Sequence, residues 1–290
     1  MKIFVITRKT LYIIAVCILA AIAAAVLAVR LSSPKGGTKA ASAQPRAAQP
    51  ASAETANRDG LLSSADCYEK EVLAGFKREL PVYSVERSDK KIALTIDAAW
   101  DDDKTPFILE TLDKYNVKAT FFLCGVWVKA YPDMVKAIHD AGHEIGNHSM
   151  SHPHMSKISA DQIANEINSL DDLIESITGE RCTLFRAPFG EYDDHVILAV
   201  RGTGHETIQW DIDTVDWKPE RSSQKILDTV LSKLDDGSII LCHNNGFKIE
   251  EYLPTLLETA QANGFEFVTV DELLLQGDTV IDVNGVQKSK

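Results

Sequence analysis

Apolar and polar positions alternate along this chain in blocks. After residue 90, short runs rich in β-branched and aromatic residues recur at 92–97 (IALTID), 119–123 (ATFFL), 143–147 (HEIGN), 183–186 (TLFR), 205–210 (HETIQW), 238–243 (SIILCH) and 265–269 (FEFVT). Such runs predict strands. Between most of them the apolar period changes to that of a helix. In the longest such stretch Ile163, Ile167, Leu170, Ile174 and Ile177 recur at spacings of four and three, which predicts one buried helical face. That helix opens on Ser159-x-x-Gln162, a capping-box pattern. Gly142, Gly179, Gly237 and Gly264 stand where helical patterns stop, and Pro106 suits the first turn of another helix.

Strand and helix in alternation imply a parallel sheet with helical crossovers. Seven strands predict an α/β fold of the distorted (β/α) barrel type, or a sheet nearly closed into one. The span is shorter than the roughly 250 residues of an eight-fold barrel. An open doubly wound sheet is the alternative. The sequence has no G-x-G-x-x-G and no phosphate-binding loop, so no nucleotide is expected.

The first thirty residues follow a different pattern. Lys2, Arg8 and Lys9 precede an uncharged apolar run from Thr10 to Val29, closed by Arg30. A helix of about 20 residues crosses about 30 Å of hydrocarbon. Residues 1–30 are therefore expected to hold a cytoplasmic end and a single transmembrane signal anchor, with the bulk of the chain outside the cytoplasm. The alternative is a cleaved signal peptide and a secreted protein, for which Val26-Leu27-Ala28 offers a small-residue site. Arg30, Lys35, Lys39 and Arg46 follow the span and weaken the charge asymmetry that sets orientation. Residues 31–60, rich in Ala, Ser, Gln and Pro, read as a flexible tether. Residues 61–89 form a lead-in, 90–276 the folded domain, and 277–290 a tail.

Composition excludes some partners. The 290 residues carry a net charge of -12, with no basic stripe for nucleic acid. The five cysteines include no C-x-x-C pair, which argues against a structural zinc site or a thioredoxin-like motif. Cys124, Cys182 and Cys242 fall in strand-like runs and read as small buried hydrophobes.

In parallel barrels active sites form at the C-terminal ends of strands. Here those ends carry Asp97, Asn147-His148, Arg186, Asp211 to Asp213 with Asp216-Trp217 just beyond, and His243. Each alone reads as an ordinary loop residue; five facing ends read as a site. Five of the eight histidines lie between 139 and 154. His148-x-x-x-His152 would put two imidazoles on one face of a helical turn, a pattern suited to zinc or a similar divalent ion. Arg186 is expected to pair with Asp97 and keep it ionised. Asp216 is expected to pair with His243 and raise its pKa.

With these residues in order, the chain resembles the polysaccharide deacetylases, the NodB-homology or carbohydrate esterase family 4 group. The resemblance covers about 90–275 and rests on TIDAAW, HSMSHPH, RAPFGEY, DTVDW and LCH. DAAW, the apolar N-terminal span and the C-terminal VIDVNGVQ look most like Gram-positive sporulation or cell-wall deacetylases. The resemblance implies metal-dependent removal of N-acetyl groups from a β-1,4-linked glycan, peptidoglycan first. It implies Asp97 as general base and His243 as acid, steadied by Arg186 and Asp216. It implies His148 and His152 as metal ligands, for zinc first, with cobalt or manganese as alternatives. Trp217 and Leu241 match walls of the acetate pocket, and Phe189 and Tyr192 lie in the substrate-binding turn.

One position departs. Where the family carries a second, metal-binding aspartate, this chain has Ala98. Asp101 or Asp102, in the acidic run ending at Asp103, could replace it. The plainer reading is that these acids precede the helix near Pro106, where negative charge is favourable. Three functions stay open: an active cell-wall deacetylase, a weak or inactive relative that binds glycan, and a hydrolase of another amide.

Overall fold

The computed structural model describes residues 78–290. The expected anchor, the tether, Cys17, Cys67 and most of the lead-in lie outside the described residues. Among the described residues no helix is long and apolar enough to cross a membrane.

The first half of the domain runs β1 (Ser84–Val85), β2 (Lys91–Ala98), α1 (Thr105–Lys114), β3 (Thr120–Leu123), α2 (Gly125–Ala130), α3 (Pro132–Asp140), β4 (Glu144–Asn147), α4 (Ala160–Thr178) and β5 (Leu184–Phe185). The second runs α5 (Asp194–Gly202), β6 (Glu206–Thr207), β7 (Ile212–Asp213), α6 (Ser223–Leu231), β8 (Ile239–His243), α7 (Ile249–Ala262), β9 (Glu266–Val268), α8 (Val270–Leu273), β10 (Thr279–Ile281) and β11 (Val286–Ser289). The main sheet has the order β6-β5-β4-β3-β2-β8-β7, with β9 added beside the start of β2. Every pairing in it is parallel. The seven ordered strands make a half-barrel clothed by helices.

Its curvature follows from one connection. β6 and β7 occupy opposite edges of the sheet, yet only residues 208–211 lie between them. An extended chain advances at most about 3.5 Å per residue, so the two edges must curl toward each other. This corrects the expectation of one continuous strand at 205–210. The lead-in explains the break. Val82 donates its N–H to the Thr207 carbonyl (2.9 Å) and accepts the Gln209 N–H (2.7 Å). The chain therefore pairs with Val82 after β6, then crosses to β8.

Alternation along the strands sorts the side chains. On β2, Leu94, Ile96 and Ala98 join the apolar cluster under the helices, with Ile108 and Leu112 of α1 and Leu253 and Leu256 of α7. On β8, Ile240 and Cys242 do the same. Fully burying each large aliphatic side chain contributes about 1.5–3 kcal/mol. The alternate residues Thr95, Asp97, Leu241 and His243 take the other face. A second cluster, with Val82, Val85, Ala93, Phe122, Ile208 and Ile239, fills the opposite end of that interior. Polar groups are thereby left to the C-terminal ends of the strands.

Helix ends follow the sequence signals. Ser159 accepts the Gln162 N–H and Gln162 accepts the Ser159 N–H, so both arms of the capping box on α4 form. Pro106 sits in the first turn of α1. Gly237 differs from its expected role as a helix stop, because α6 ends at Leu231. It has φ 80°, and a Cβ there would lie 1.7 Å from the Val85 carbonyl oxygen. Close approach of β1 to the start of β8 is what requires glycine there. Cys124, Cys182 and Cys242 are buried and unbridged.

The C-terminal residues also differ from the expected tail. β10 and β11 form an antiparallel hairpin, and β11 pairs in parallel with β1. Asp282 Oδ1 accepts the N–H groups of Asn284 (2.8 Å) and Val286 (3.0 Å) and shapes the turn. Asn284-Gly285 is a recognised hairpin signal.

Candidate active site

Asp97 and His243 are register partners on the adjacent strands β2 and β8. Both face a cavity of about 480 Å³ at the C-terminal end of the half-barrel, which Trp217 and Leu241 also line.

Arg186 follows β5 and reaches across the interior to β2. It is wholly buried. One terminal nitrogen donates to Asp97 Oδ1 and Thr95 Oγ1, both at 2.8 Å; the other donates to the Gln209 carbonyl at 2.9 Å. Its guanidinium carbon lies 4.1 Å from the centroid of the Phe122 ring. A desolvated cation is tolerable when its donors are so fully used. Burial alone would raise the Asp97 pKa, but the charge of Arg186 foremost, then those of His148 and His243, hold it below the usual 3.8.

Asp216 is 1% exposed. Its Oδ1 accepts His243 Nδ1–H at 2.8 Å. Its Oδ2 accepts the His243 backbone N–H at 3.1 Å and the Tyr252 hydroxyl at 2.7 Å. Burial works against charge on His243. The Asp216 bond outweighs it, helped by the charges of Asp97 and Asp213, and raises the imidazole pKa above 6.5.

His148 and His152 also meet at the cavity, with ring centroids 5.0 Å apart. They are not on a helical turn. The segment is a loop in which Ser149 (φ 65°) and His152 (φ 58°) take left-handed backbone conformations. Side chains that capture local N–H groups explain this. Asn147 Oδ1 accepts the Ser149 N–H at 2.9 Å, and Ser149 Oγ accepts the His152 N–H at 3.0 Å. Asn147 Nδ2 in turn donates to the Ile167 carbonyl and to Asp171 Oδ1. Burial pushes the His148 pKa down. Burial and the neighbouring His148 push that of His152 down to about 4. Both imidazoles are thus in the neutral, metal-ligating form. His148 Nδ1 lies 2.9 Å from the Arg186 carbonyl, while Nε2 is 3.7 Å from Asp97 Oδ2.

The donor set fits a divalent ion at two protein positions. Ala98 is wholly buried in the apolar cluster and supplies no donor. Among the described residues no three His, Cys, Asp or Glu side chains form a ready metal-binding group. Asp101 and Asp102 do not line the cavity. Asp101 instead uses its carbonyl to accept from Trp127 Nε1 and Asn244 Nδ2, each at 2.6 Å.

Phe189 lines the cavity at the tip of a tight turn, with φ 61°. Tyr192 does not line it. Its hydroxyl pairs with that of Tyr83 at 3.0 Å, so the lead-in holds this ring away from the site. Trp100 and Trp210 also line the cavity, with no sequence signal that singles them out, and so does Asp213, one of the expected strand-end acids. Asp213 opens DTVDW, which was the available signal. Burial pushes its pKa up. Trp100 is exposed and meets the His152 ring edge-on at 4.9 Å.

Comparison with known proteins identifies the family. The family model described as polysaccharide deacetylase matches residues 84–208. The chain is 32% identical over 191 residues to the peptidoglycan-N-acetylmuramic acid deacetylase PdaA of Bacillus subtilis, covering 65% of this chain and 73% of that protein. It is 36% identical over 195 residues to the peptidoglycan-N-acetylglucosamine deacetylase PgdA of Listeria monocytogenes, covering 67% of this chain but only 41% of that protein. The structure of wild-type BA3943, a CE4 family pseudoenzyme from Bacillus anthracis, superposes with a TM-score of 0.64 at 36% identity, over 67% of this chain and 68% of that one. This chain belongs to the polysaccharide deacetylase family, the CE4 hydrolases.

Proposed function

We propose that this protein is a metal-dependent deacetylase of cell-wall glycan, releasing acetate from N-acetylglucosamine or N-acetylmuramic acid residues of peptidoglycan. One observation carries the reading. A carboxylate and an imidazole face one cavity, and each has its own buried partner that favours the charge its role needs: Arg186 for Asp97, and Asp216 for His243. Glycan binding alone requires neither partner.

In this reading Asp97, ionised, takes a proton from the attacking water. A backbone N–H in the turn near Phe189 donates to the oxyanion of the tetrahedral intermediate. His243, charged through Asp216, gives its proton to the leaving sugar amine. Acetate and a free amine are the products. His148 and His152 would hold a divalent ion, zinc first; when bound, it supplies Lewis-acid polarisation of the amide carbonyl. Trp217 and Leu241 would enclose the acetyl methyl group. The uncharged run from Thr10 to Val29 supports a membrane-anchored protein with this domain outside the cytoplasm.

Ala98 favours a second reading, a weak or inactive relative that binds glycan. BA3943 is described as a pseudoenzyme, and a mutant of it as having restored activity. The two readings separate in one assay: acetate release from peptidoglycan after chelation and again after adding zinc, cobalt or manganese. Metal-restored release supports the deacetylase. A folded protein that binds glycan but releases no acetate with any metal would overturn it.

A further inference from the structure

Tyr252 lies on α7, wholly buried among Ile249, Leu253 and Leu256. Its ring is ordinary core, but its hydroxyl is not ordinary. A buried hydroxyl must find a partner, and this one donates to a carboxylate already engaged by His243. Three donors converge on Asp216: Tyr252 Oη, His243 Nδ1 and the His243 amide. The backbone of Gly246 closes another side, since a Cβ on it would lie 2.2 Å from Asp216 Oδ2. Rotation of the carboxylate about its own axis would break all three bonds together.

We propose that Tyr252 is a positioning residue for the acid: its phenol O–H shares the Asp216 carboxylate with His243 Nδ1 and, by drawing on that charge, sets how tightly His243 keeps its proton. The inference rests on the acid role assigned to His243 above. A hydrogen bond donated to an anion stabilises the anion and lowers its appetite for a proton. His243 and Asp216 titrate as a coupled pair, so the hydroxyl acts on the proton they share. Without it the pair holds that proton more tightly, and His243 becomes a poorer acid. Burial and the charge of Asp216 keep the phenol itself protonated, and so a donor.

Other charged or titratable groups act on His243 as well: Asp97 on β2, Asp213 at the end of β7 and His148 after β4; Tyr252 on α7 and Cys242 on β8 act through Asp216. Tyr252→Phe removes only the hydroxyl and leaves the rest in place.

The experiment is an NMR titration of the full chain carrying 13Cε1-labelled histidine, with His243→Gln identifying the signal. Tyr252→Phe should move the His243 midpoint up by about one pH unit. 3-Fluorotyrosine at 252, a stronger donor of nearly the same shape, should move it down. The alkaline limb of acetate release should shift in the same directions. Unchanged midpoints in both folded variants, whatever their activity, would reduce Tyr252 to packing and overturn the inference. If Tyr252→Phe fails to fold, the fluorinated variant decides by itself. Shifted midpoints with no acetate release in any form would sustain the Tyr252 coupling and count against the deacetylase reading.

Discussion

Asp97 and His243 stand opposite each other in register on neighbouring parallel strands. Neighbouring strands run about 4.8 Å apart, and side chains alternate faces with a period of two. The pairing therefore sends a carboxylate and an imidazole into one cavity from adjacent backbones. What keeps their proton roles apart is their flanks. Arg186 reaches Asp97 from β5, while Asp216 reaches His243 from the loop after β7.

Asp97→Asn tests the base directly. The amide keeps the shape but cannot accept the water proton. Turnover should fall by about 10²–10⁴-fold. Arg186 would lose its counter-charge while keeping Thr95 and the Gln209 carbonyl. Breaking a buried pair from one side costs about 3–5 kcal/mol, and the surviving acceptors put the cost at the lower end. Acetate release and urea unfolding measured on one preparation separate the two effects. Near-normal turnover would remove Asp97 from the mechanism.

The pH profile follows from the two shifts. The active form has Asp97 ionised and His243 protonated. Asp97 is shifted below 3.8 and His243 above 6.5, so the rate plateau widens at both ends. Stability follows the same signs. The Asp97 contribution is fully present above its unfolded pKa and is lost as pH falls through the lower folded value. The His243 contribution is fully present below its unfolded pKa and is lost as pH rises through the higher folded value. Asp216→Asn removes the main raising influence on His243. The alkaline limb of kcat/KM should move to lower pH, with a loss of about tenfold or more at neutrality. An alkaline limb in the same place would detach it from His243.

Much of this site was legible because strand ends can be read from the apolar period. The run from Ile92 to Asp97 falls one residue short of the strand at each end, yet it places Asp97 at its C-terminal end. Local captures were not legible. His148 and His152 have helical spacing, but Asn147 and Ser149 take the backbone N–H groups a helix would need, and spacing alone does not show this. β6 and β7 have two residues each, too few for any period, and their separation depends on Val82, more than a hundred residues earlier. Tyr252 falls at an apolar position of an amphipathic helix, so the pattern reports its ring and not its hydroxyl. Tyr192 lies in a recognised motif, but its direction is set by Tyr83 in a lead-in without any motif.

Asn147→Ala should loosen the metal-ligating pair without touching it. The substitution removes the bond to the Ser149 N–H and both bonds made by Nδ2. Ser149 then loses what holds it left-handed, the hydroxyl that anchors the His152 N–H shifts with it, and the imidazoles lose their mutual orientation. Loss of such supporting bonds weakens metal affinity by about 10–100-fold. Competition against a chromogenic zinc chelator reads this independently of turnover. Folding stability should drop by about 1–3 kcal/mol, because the buried Asp171 also loses a donor. Unchanged zinc affinity would mean that the turn is held by packing alone.

Gly246→Ala attacks the acid from behind. The added methyl would overlap Asp216 Oδ2 at 2.2 Å, so either the carboxylate or the backbone after β8 must move. Overpacking of this kind costs about 1–3 kcal/mol. The carboxylate is the softer element, and displacing it stretches the bonds to His243 Nδ1 and Tyr252 Oη together. The expected result is a kcat reduced by about tenfold or more with KM little changed, because Asp216 acts on proton transfer and does not line the substrate cavity. His243 should also titrate at lower pH than in the wild type. A rise in KM at constant kcat would show that the backbone had moved instead, displacing Asn245 and the cavity wall.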